Sequence, residues 1–352
     1  MRRKCKEITV GNVRIGNGNP IVIQSMCNTP SYDVKGTIEQ IKRLYEAGCQ
    51  ITRLAVPDAE GAENFAIIRK ESPIPIVADI HFDYKLALMA VAGGADKIRI
   101  NPGNIGDINK VREVAAACKD RGIPIRIGVN GGSLEKPILE KYGVTPVALV
   151  ESAKRHIDIL ERCNFFDICV SIKTSNVRNN IEAYRMMADK CYYPLHLGVT
   201  EAGTEYMGTI KSSIALGSLL CDGIGDTIRV SLTDDPVKEV YAAKAILKSI
   251  GLYQGGANII SCPTCGRTRV GLIDIAKEVE NRLANLKSPI TVAVMGCVVN
   301  GPGEAKEADV GVACGKGEGL IFAKGETVKK VSEQDIVSEL IKYIEELTGE
   351  KI

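Results

Sequence analysis

The stretch Lys97-Ile98-Arg99-Ile100-Asn101 places polar and apolar side chains on alternate faces of an extended segment. Successive side chains of a strand point to opposite faces, so the two isoleucines share one face and the lysine, arginine and asparagine share the other. Strands of a parallel sheet usually read as continuous apolar runs, because both of their faces are buried. This alternation therefore predicts a parallel strand whose second face borders a polar, functional interior.

Other extended runs lie on both sides of this stretch, between residues 21 and 250. They are Ile21–Ser25, Ile51–Ala55, Pro75–Asp79, Pro124–Asn130, Asp167–Lys173, Pro194–Thr200 and Thr227–Ser231. Amphipathic segments separate them, among them Thr37–Ala47, Asp107–Arg121, Val147–Cys163 and Pro236–Ile250. Strands that alternate with helices in this way predict an α/β fold, a closed parallel (β/α)8 TIM barrel. An open doubly wound sheet is the alternative, but residues 24–28 lack the Gly-rich phosphate turn that such a sheet needs after its first strand.

A second, smaller domain follows the barrel. The stretch Gly251-Leu252-Tyr253-Gln254-Gly255-Gly256 has the composition of a linker. Beyond it, short strand-like and helix-like segments predict an α+β unit: Asn258–Ser261, Arg269–Leu286, Thr291–Met295, Asp309–Ala313, Gly319–Phe322 and Glu333–Leu347. We therefore predict a barrel domain over residues 1–254 and a C-terminal domain over residues 255–352.

Composition argues against two classes of partner. The net charge is +2, aromatic residues make up 5% of the chain and Trp is absent, so the basic surface and the stacking platforms of nucleic-acid-binding proteins are missing. No apolar run is long enough to span a bilayer, and the first residues lead into no signal-type segment. These features together predict a cytoplasmic protein.

Basic residues recur near the carboxyl ends of the predicted strands, where TIM barrels place their active sites. Five of them are Arg53, Arg99, Arg126, Lys173 and Arg229. Solvated strand ends would explain one such residue, but five at matching positions favour convergence on a shared interior. Burying an unpaired charge costs roughly several kcal/mol, and Asp79 and Glu201 offset only part of this positive charge. We therefore predict that a polyanion binds here, since planar Arg side chains suit phosphate oxygens.

The three histidines differ in their expected roles. His81 follows Asp79 at a strand end and is a candidate for the pocket. His196 faces inward on its strand, either in the pocket or as a hydrogen-bonded core group. His156 lies in a predicted helix, where a structural role is expected.

Two further strand ends carry polar residues that suit a phosphate-ester site. Thr200 and Glu201 end one strand, and Glu201 could act as a proton donor if burial raised its pKa. The loop Asn130-Gly131-Gly132-Ser133 ends another strand and offers backbone amides of the kind that bind phosphates.

The C-terminal cysteines form a metal-binding pattern. Cys262-Pro263-Thr264-Cys265 alone is compatible with a redox dithiol, half of a zinc site or part of an iron–sulfur site. Cys297 lies in a second segment, residues 295–304, whose glycines let the backbone approach a bulky cofactor. Three thiolates suit three irons of a cubane cluster, and Glu304 is the candidate ligand for the fourth iron. Structural zinc, with Cys314 as the fourth ligand, is the alternative.

Five segments together resemble the signatures of the 4-hydroxy-3-methylbut-2-enyl diphosphate synthase family. They are residues 97–104, 124–134, 171–175, 261–267 and 295–304, and the resemblance covers nearly the whole chain. It implies a TIM barrel followed by a domain similar to those of sulfite and nitrite reductases. The implied reaction is the reductive ring opening and dehydration of 2-C-methyl-D-erythritol 2,4-cyclodiphosphate in the non-mevalonate isoprenoid pathway.

The resemblance also implies roles for individual residues. Cys262, Cys265 and Cys297 would bind a 4Fe-4S cluster, and Glu304 would cap its unique iron until substrate displaces it. The diphosphate-binding positions are Arg53, Arg99, Arg126, Lys173, Arg229 and Ser231. The positions near the reacting carbons are Asp79, Asn130, Glu201 and Asn300. We expect His81 and Thr200 to contribute to substrate binding as well.

The same resemblance leads to expectations about partners. The chain lacks the extra domain of plant-type members, and Cys27 stands where Thr is expected. No nucleotide-binding turn is present, so we expect flavodoxin or ferredoxin to donate electrons. The last barrel helix should end opposite the site, and a linker of about seven residues spans at most roughly 25 Å. We therefore expect a homodimer in which each C-terminal domain caps the partner's barrel.

Two other functional classes stay open from the residues alone. One is a non-redox phosphosugar lyase or isomerase barrel with a zinc-stabilised binding module. The other is a pure binding protein, which would have little use for an open metal position beside a phosphate pocket. A brown colour and bound iron in protein prepared without oxygen would distinguish the cluster enzyme from both.

Overall fold

The computed structural model describes residues 2–105, 107–297 and 307–352. The chain forms two compact units, Met1–Tyr253 and Gln254–Ile352. Among the described residues, no helix has both the length and the apolar character needed to cross a membrane.

The first unit is built on an eight-stranded parallel sheet. A hairpin of β1 (Ile8–Val10) and β2 (Val13–Ile15) precedes it. The sheet contains β3 (Val22–Met26), β4 (Ile51–Ala55), β5 (Ile76–Asp79), β6 (Lys97–Ile100), β7 (Ile125–Asn130), β8 (Ile168–Lys173), β9 (His196–Leu197) and β10 (Thr227–Ile228). The strand order is β8-β7-β6-β5-β4-β3-β10-β9, and a bridge between Val170 and Leu195 joins its two ends. The predicted TIM barrel is thereby confirmed.

Helices connect the strands on the outside of the barrel. They are α1 (Val34–Glu46), α2 (Ala59–Glu71), α3 (Tyr84–Ala92), α4 (Pro102–Ile105), α5 (Ile108–Asp120), α6 (Lys136–Tyr142), α7 (Pro146–Arg162), α8 (Val177–Lys190), α9 (Glu205–Cys221) and α10 (Pro236–Ser249). Several helices are capped by an Asp side chain that accepts a hydrogen bond from a backbone amide of the first turn. Asp58 accepts from the Gly61 amide, and Asp107 accepts from the Asn109 amide. Such caps satisfy amides that the first helical turn leaves unpaired, so the helices begin within a few residues of the strand ends.

The apolar faces of the strands pack against these helices. Ile98 and Ile100 of β6, and Ile125 and Ile127 of β7, are fully buried in the main apolar cluster. The polar residues that alternate with them, such as Arg99 and Arg126, face the barrel interior and are also buried. The alternation in the sequence therefore places apolar side chains against the helices and polar side chains in the barrel interior, as predicted.

Two strands are shorter than predicted. The sequence predicts strands over Pro194–Thr200 and Thr227–Ser231, but β9 and β10 each contain only two residues. The chain leaves the ladder at Gly198, where an added Cβ atom would lie 2.5 Å from Lys173 Nζ and 2.9 Å from the Arg229 carbonyl oxygen. The neighbouring strands therefore leave no room for a side chain at this position.

The N-terminal hairpin closes the amino end of the barrel, and the sequence analysis did not predict it. Its inward residues form one apolar cluster with the first residues of several barrel strands: Ile8, Val10, Ile15, Val22, Ile51, Val77 and Cys169. Arg3 N, just before the hairpin, donates to the Gly223 carbonyl oxygen at 2.9 Å. The hairpin therefore keeps solvent from the end of the barrel opposite the strand carboxyl ends.

Within its described residues, 254–297 and 307–352, the second unit is a five-stranded mixed sheet with two helices. Its elements are β11 (Ala257–Ser261), α11 (Leu272–Leu283), β12 (Ile290–Met295), β13 (Val310–Gly315), β14 (Glu318–Ala323), β15 (Glu326–Ser332) and α12 (Ile336–Thr348). Strands β11, β12 and β13 are parallel, whereas β14 and β15 are antiparallel to their neighbours. Both helices share an apolar cluster with one face of the sheet. The prediction missed β15, because five of its first six residues are exposed and give no apolar pattern.

Candidate active site

A cavity of about 230 Å³ opens at the carboxyl ends of the barrel strands. Every barrel strand contributes to its wall, either directly or through the residues that follow it. The lining residues are Met26, Arg53, Asp79, His81, Arg99, Arg126, Asn130, Ser171, Lys173, Thr200, Arg229 and Ser231. All of the predicted substrate-binding residues are among them, together with Asp79. Met26 and Ser171 are the lining residues that the sequence analysis did not name.

Asp79, at the end of β5, is a buried carboxylate that joins two pocket arginines. Its Oδ1 accepts a hydrogen bond from Arg99 Nη1 at 3.0 Å. Its Oδ2 lies 3.5 Å from Arg53 Nε and 3.7 Å from His81 Nε2. Burial alone would raise the pKa of this carboxyl, but the neighbouring Arg53, His81 and Arg99 together lower the pKa far below its usual range. Asp79 is therefore ionised at neutral pH and orients both guanidinium groups.

Glu239, on the first turn of α10, is a second buried carboxylate, and the sequence analysis missed it. It accepts hydrogen bonds from Arg229 Nε at 3.2 Å and from Arg229 Nη2 at 3.0 Å. The Ser25 hydroxyl and the Leu232 amide also donate to it, at 2.8 Å and 3.1 Å. A signal was present in the sequence: positions 236, 239, 240, 243, 246 and 247 form the buried stripe of this helix, so a Glu at 239 faces the barrel.

Arg126 is the most deeply buried of the pocket arginines. It is 1% exposed, and its Nε and Nη1 have no hydrogen-bond acceptor among the described residues. Burial and the neighbouring Arg99 lower the pKa of its guanidinium to about 10. Burial, together with Arg126 and Arg229, also lowers the pKa of Lys173 far below its usual value. The pocket therefore concentrates more positive charge than its own carboxylates neutralise.

Met26 and Gly128 shape the pocket around these cations. Met26 Sδ accepts hydrogen bonds from Arg53 Nε at 3.0 Å and Nη2 at 2.7 Å, and it lies 3.6 Å from Arg229 Nη1. A thioether is a weak acceptor. A phosphate oxygen that accepted these hydrogen bonds in place of Met26 Sδ would therefore form stronger bonds with the arginines. A Cβ atom at Gly128 would lie 2.3 Å from Arg99 Nε, so this position must be glycine for Arg99 to reach Asp79.

A second polar layer lies one step toward the amino ends of the strands. Lys97 and His196 are both fully buried there. Lys97 Nζ lies 3.5 Å from Gln24 Oε1, and His196 Nδ1 lies 3.4 Å from Thr227 Oγ1. Burial lowers the pKa of Lys97 to about 8 and lowers the pKa of His196 far below its usual value. His196 is therefore a neutral core group beneath the pocket.

In the second unit, Cys262 and Cys297 follow neighbouring parallel strands. Cys262 comes directly after β11, Cys297 comes two residues after β12, and β11 pairs with β12 along its whole length. The Gly296 amide donates a hydrogen bond to Cys262 Sγ at 3.1 Å. A Cβ atom at Gly296 would lie 2.8 Å from Leu272 Cδ2, so glycine is needed for this close approach.

Cys265 lies at the same end of this sheet. It is exposed, and the backbone amide and the charge of Arg267 lower the pKa of its thiol, while the nearby Cys297 acts in the opposite direction. No group of three His, Cys, Asp or Glu side chains within the described ranges is already arranged as a metal site. Asn300, predicted to lie near the reacting carbons, and Glu304, the predicted ligand of the fourth iron, lie outside the described residues.

Cys314, the fourth ligand in the zinc alternative, lies in the core of the second unit. It is buried on β13 in the apolar cluster that includes Ile336 and Leu340 of α12. Burial raises the pKa of its thiol to about 12. Because the thiolate is the metal-binding form, this position favours a core role over a ligand role.

Two family models match the chain. One, described as the GcpE TIM-barrel domain, matches residues 5–244, and the other, described as the GcpE protein C-terminal domain, matches residues 258–346. The chain belongs to the GcpE family.

This GcpE chain is similar over its full length to curated bacterial proteins. It is 57% identical over 352 residues to a protein of Caldanaerobacter subterraneus subsp. tengcongensis, with 100% of this chain and 99% of the relative covered. It is 59% identical over 345 residues to a protein of Clostridium perfringens, with 98% and 99% covered. Both relatives are named 4-hydroxy-3-methylbut-2-en-1-yl diphosphate synthase (flavodoxin).

Solved structures with little sequence similarity resemble the barrel of the GcpE chain. The 3-dehydroquinate dehydratase of Geobacillus kaustophilus superposes with a TM-score of 0.51 at 13% identity, covering 71% of this chain and 99% of that one. The dihydropteroate synthase of Yersinia pestis gives a TM-score of 0.50 at 12% identity, covering 70% and 99%. At these identities the likeness shows the fold alone.

Glu201 is the predicted barrel residue that does not line the cavity. It is exposed, whereas the sequence analysis had made its role as a proton donor conditional on burial. Because β9 ends at Leu197, the chain turns away from the sheet before Glu201, which adopts a left-handed conformation with a φ of 53°. Cys27, the departure from the family pattern, is buried with Sγ 3.5 Å from Thr52 Oγ1 and does not line the cavity either.

Proposed function

We propose that this GcpE-family chain catalyses the reductive ring opening and dehydration of 2-C-methyl-D-erythritol 2,4-cyclodiphosphate to 4-hydroxy-3-methylbut-2-enyl diphosphate. The observation that carries the proposal is the 57% identity, over the full length, to a relative named as the synthase of that product. The barrel pocket is consistent with it, because Asp79 and Glu239 only partly balance the five pocket cations. A diphosphate supplies the missing negative charge.

The pocket cations offer several free contacts to phosphate oxygens. Arg126 has N–H groups on Nε and Nη1 that no described residue accepts. Arg229 donates Nε and Nη2 to Glu239, whereas its Nη1 donates only to the weak acceptor Met26 Sδ, at 3.6 Å. Two unit charges 4 Å apart attract by about 4 kcal/mol at an effective dielectric constant near 20. Several such contacts to one diphosphate offset the desolvation of the cations.

The proposed cofactor is a 4Fe-4S cluster on Cys262, Cys265, Cys297 and Glu304. The support among the described residues is that the three cysteines follow the carboxyl ends of β11 and β12, and that Gly296 allows close approach of the two segments. When bound, such a cluster supplies low-potential electrons one at a time. The residue types fit this group, and the buried Cys314 gives no comparable support to a four-Cys zinc site.

Protons and substrate orientation are assigned to different residues. Asp79 is ionised and already engaged with Arg53 and Arg99, so it orients these groups and does not donate a proton. Glu201 stands next to the cavity residue Thr200, and we assign proton delivery to it. Its left-handed backbone is a conformation that non-glycine residues adopt at a cost, often at functional sites. We assign Asn130 and Asn300 to positions near the reacting carbons.

The proposed electron donor is flavodoxin, with ferredoxin as the alternative. The support is the printed name of the relatives, which specifies flavodoxin. Because the reaction consumes two electrons and a cluster delivers one at a time, a one-electron carrier matches the cofactor.

The proposed assembly is a homodimer in which each C-terminal unit caps the partner's barrel. Residues 250–256 connect α10 to β11 and span at most roughly 25 Å. Because α10 runs back from the carboxyl ends of the strands, it ends at the opposite face from the cavity. In addition, Tyr206, Ile210 and Ile214 form an exposed apolar stripe on α9, of which Tyr206 is 75% exposed. Helices with an apolar outer face are usually covered, and a second copy is the occupant that we propose.

The direct test is turnover by protein prepared without oxygen. We expect about four irons and four sulfides per chain, and conversion of the cyclodiphosphate only when reduced flavodoxin or another low-potential donor is present. A colourless protein that transforms the cyclodiphosphate without a reductant would refute the redox assignment. Iron-loaded protein that fails to turn over with any low-potential donor would refute the proposed substrate.

A further inference from the structure

We propose that Glu239 is a positioning residue that fixes the Arg229 guanidinium for contact with the diphosphate of the substrate. This inference rests on the proposed function, because it concerns the same pocket. Glu239 itself does not line the cavity, so it acts through Arg229 and does not touch the substrate.

The orientation of Arg229 follows from the two hydrogen bonds that it donates to Glu239. Nε and Nη2 both point at the carboxylate, at 3.2 Å and 3.0 Å, in the bidentate arrangement that carboxylates and guanidinium groups favour. The guanidinium is planar and rigid, so fixing two nitrogens fixes the third. Nη1 then lies 3.6 Å from Met26 Sδ, a residue of the cavity wall.

Glu239 is itself held by contacts from two other parts of the barrel. The Ser25 hydroxyl of β3 donates to Oε2 at 2.8 Å, and the Leu232 amide, after β10, donates to Oε1 at 3.1 Å. With the two bonds from Arg229, both carboxylate oxygens are fully used, and the residue is 2% exposed. A carboxylate held in this way has one orientation, and its two hydrogen bonds with Arg229 therefore fix the orientation of the guanidinium.

A charge-balancing role would make the opposite prediction for anion binding. If Glu239 only neutralised Arg229, replacing it with Gln would raise the positive potential of the pocket and tighten the binding of an anion. If Glu239 positions Arg229, the same replacement frees the guanidinium to rotate and weakens binding. The sign of the change therefore separates the two roles.

The experiment is calorimetric titration of inorganic pyrophosphate into the anaerobically prepared holoenzyme. We expect Glu239→Gln to weaken pyrophosphate binding about tenfold or more, as loss of hydrogen bonds to a charged group predicts. In turnover of the cyclodiphosphate, KM should rise with little change in kcat, because Arg229 holds the diphosphate before and during the reaction. The matched control is Glu205→Gln, which removes an exposed carboxylate that pairs with Lys238 outside the cavity, and the affinity of this variant should stay at the wild-type value.

A double-mutant cycle makes the test independent of general damage to the fold. Arg229→Met should weaken pyrophosphate binding, and adding Glu239→Gln to it should weaken binding no further, because the residue being positioned is gone. The double variant also leaves no unpaired buried charge at this pair, so it provides folded protein if the single Gln variant is unstable.

The outcomes separate this inference from the proposed function. Pyrophosphate binding that is unchanged or tighter in Glu239→Gln overturns the positioning role, as does a further loss in the Arg229→Met background. If the wild-type holoenzyme neither binds pyrophosphate nor turns over the cyclodiphosphate, the proposed function fails. If it turns over normally while Glu239→Gln keeps full affinity, only the positioning role fails.

Discussion

Replacing Arg126 with Met should stabilise the ligand-free protein and, in the same variant, abolish tight binding of diphosphate. The guanidinium is buried, and neither Nε nor Nη1 finds an acceptor in the part of the chain that the structure describes. Folding therefore removes the guanidinium from water, and few contacts with the protein replace the lost hydration. Met has a similar length and no charge, so it fills the space without that cost.

The magnitude follows from the pKa. Burial and Arg99 lower the pKa of Arg126 from its usual 12.5 to about 10, which corresponds to roughly 3 kcal/mol at 1.36 kcal/mol per pKa unit. The sign is unfavourable to folding at neutral pH, because the group is charged in both states and its charged form is disfavoured in the folded one. We therefore expect a gain of about 1–3 kcal/mol, and each kcal/mol raises Tm by about 2–4 °C in a domain of this size.

The assay is thermal unfolding with and without pyrophosphate, under anaerobic conditions. Pyrophosphate should raise the Tm of the wild-type protein, because a ligand that binds only the folded state stabilises it. Arg126→Met should unfold at a higher temperature without pyrophosphate and show no further rise with it. The matched control is Arg69→Met: Arg69 Nη2 donates to Asp96 Oδ1 at 3.0 Å outside the cavity, so its loss should lower Tm and keep the pyrophosphate effect. An Arg126→Met variant with a lowered Tm and a full pyrophosphate response would refute the reasoning.

Three further predictions test other parts of the molecule. Lys97→Met should raise the free energy of unfolding below pH 8, and this gain should shrink as the pH rises toward 10.5, because burial lowers the pKa of Lys97 to about 8. Denaturant unfolding across this pH range tests the prediction, and a gain that does not vary with pH contradicts it. Cys265→Ser should lose iron, whereas Cys314→Ala should retain iron and lose only stability. Iron analysis of anaerobically prepared variants tests this prediction, and equal iron loss in both variants would favour the four-Cys site. An equimolar, fully exchanged mixture of Arg126→Met and Cys265→Ser chains should recover about a quarter of the wild-type activity if the C-terminal units cap partner barrels, because about half of the dimers are mixed and each has one intact site of two; it should recover no activity if each unit serves its own barrel.

The pocket could be predicted from the sequence because the pattern that marks it is local. Alternation in Lys97–Asn101 reports the direction of successive side chains, which the strand backbone fixes regardless of the rest of the fold. Once the strands close into a barrel, residues paired across neighbouring strands, such as Arg99 and Arg126, must face the same interior. The lengths of β9 and β10 could not be predicted in this way, because they depend on packing between distant segments, such as the close approach of Lys173 and Arg229 to Gly198.

Partners of the pocket cations were harder to predict than the cations themselves. Glu201 follows a predicted strand and was expected to balance the charge, but the chain turns before it and leaves it exposed. Glu239 lies ten residues after Arg229 on a helix, and which carboxylate meets which arginine depends on how α10 packs on β3 and β10. Likewise, only the packing of α12 against β13 shows that Cys314 faces the core.

The measurement that tests the central claim most directly is titration of 2-C-methyl-D-erythritol 2,4-cyclodiphosphate into the anaerobically prepared protein. The cationic barrel pocket predicts one molecule bound per barrel, competition by inorganic pyrophosphate, and loss of binding in Arg126→Met. If pyrophosphate does not compete with the substrate, and Arg126→Met binds the substrate with wild-type affinity, the substrate binds outside the cationic barrel pocket and the central claim is contradicted.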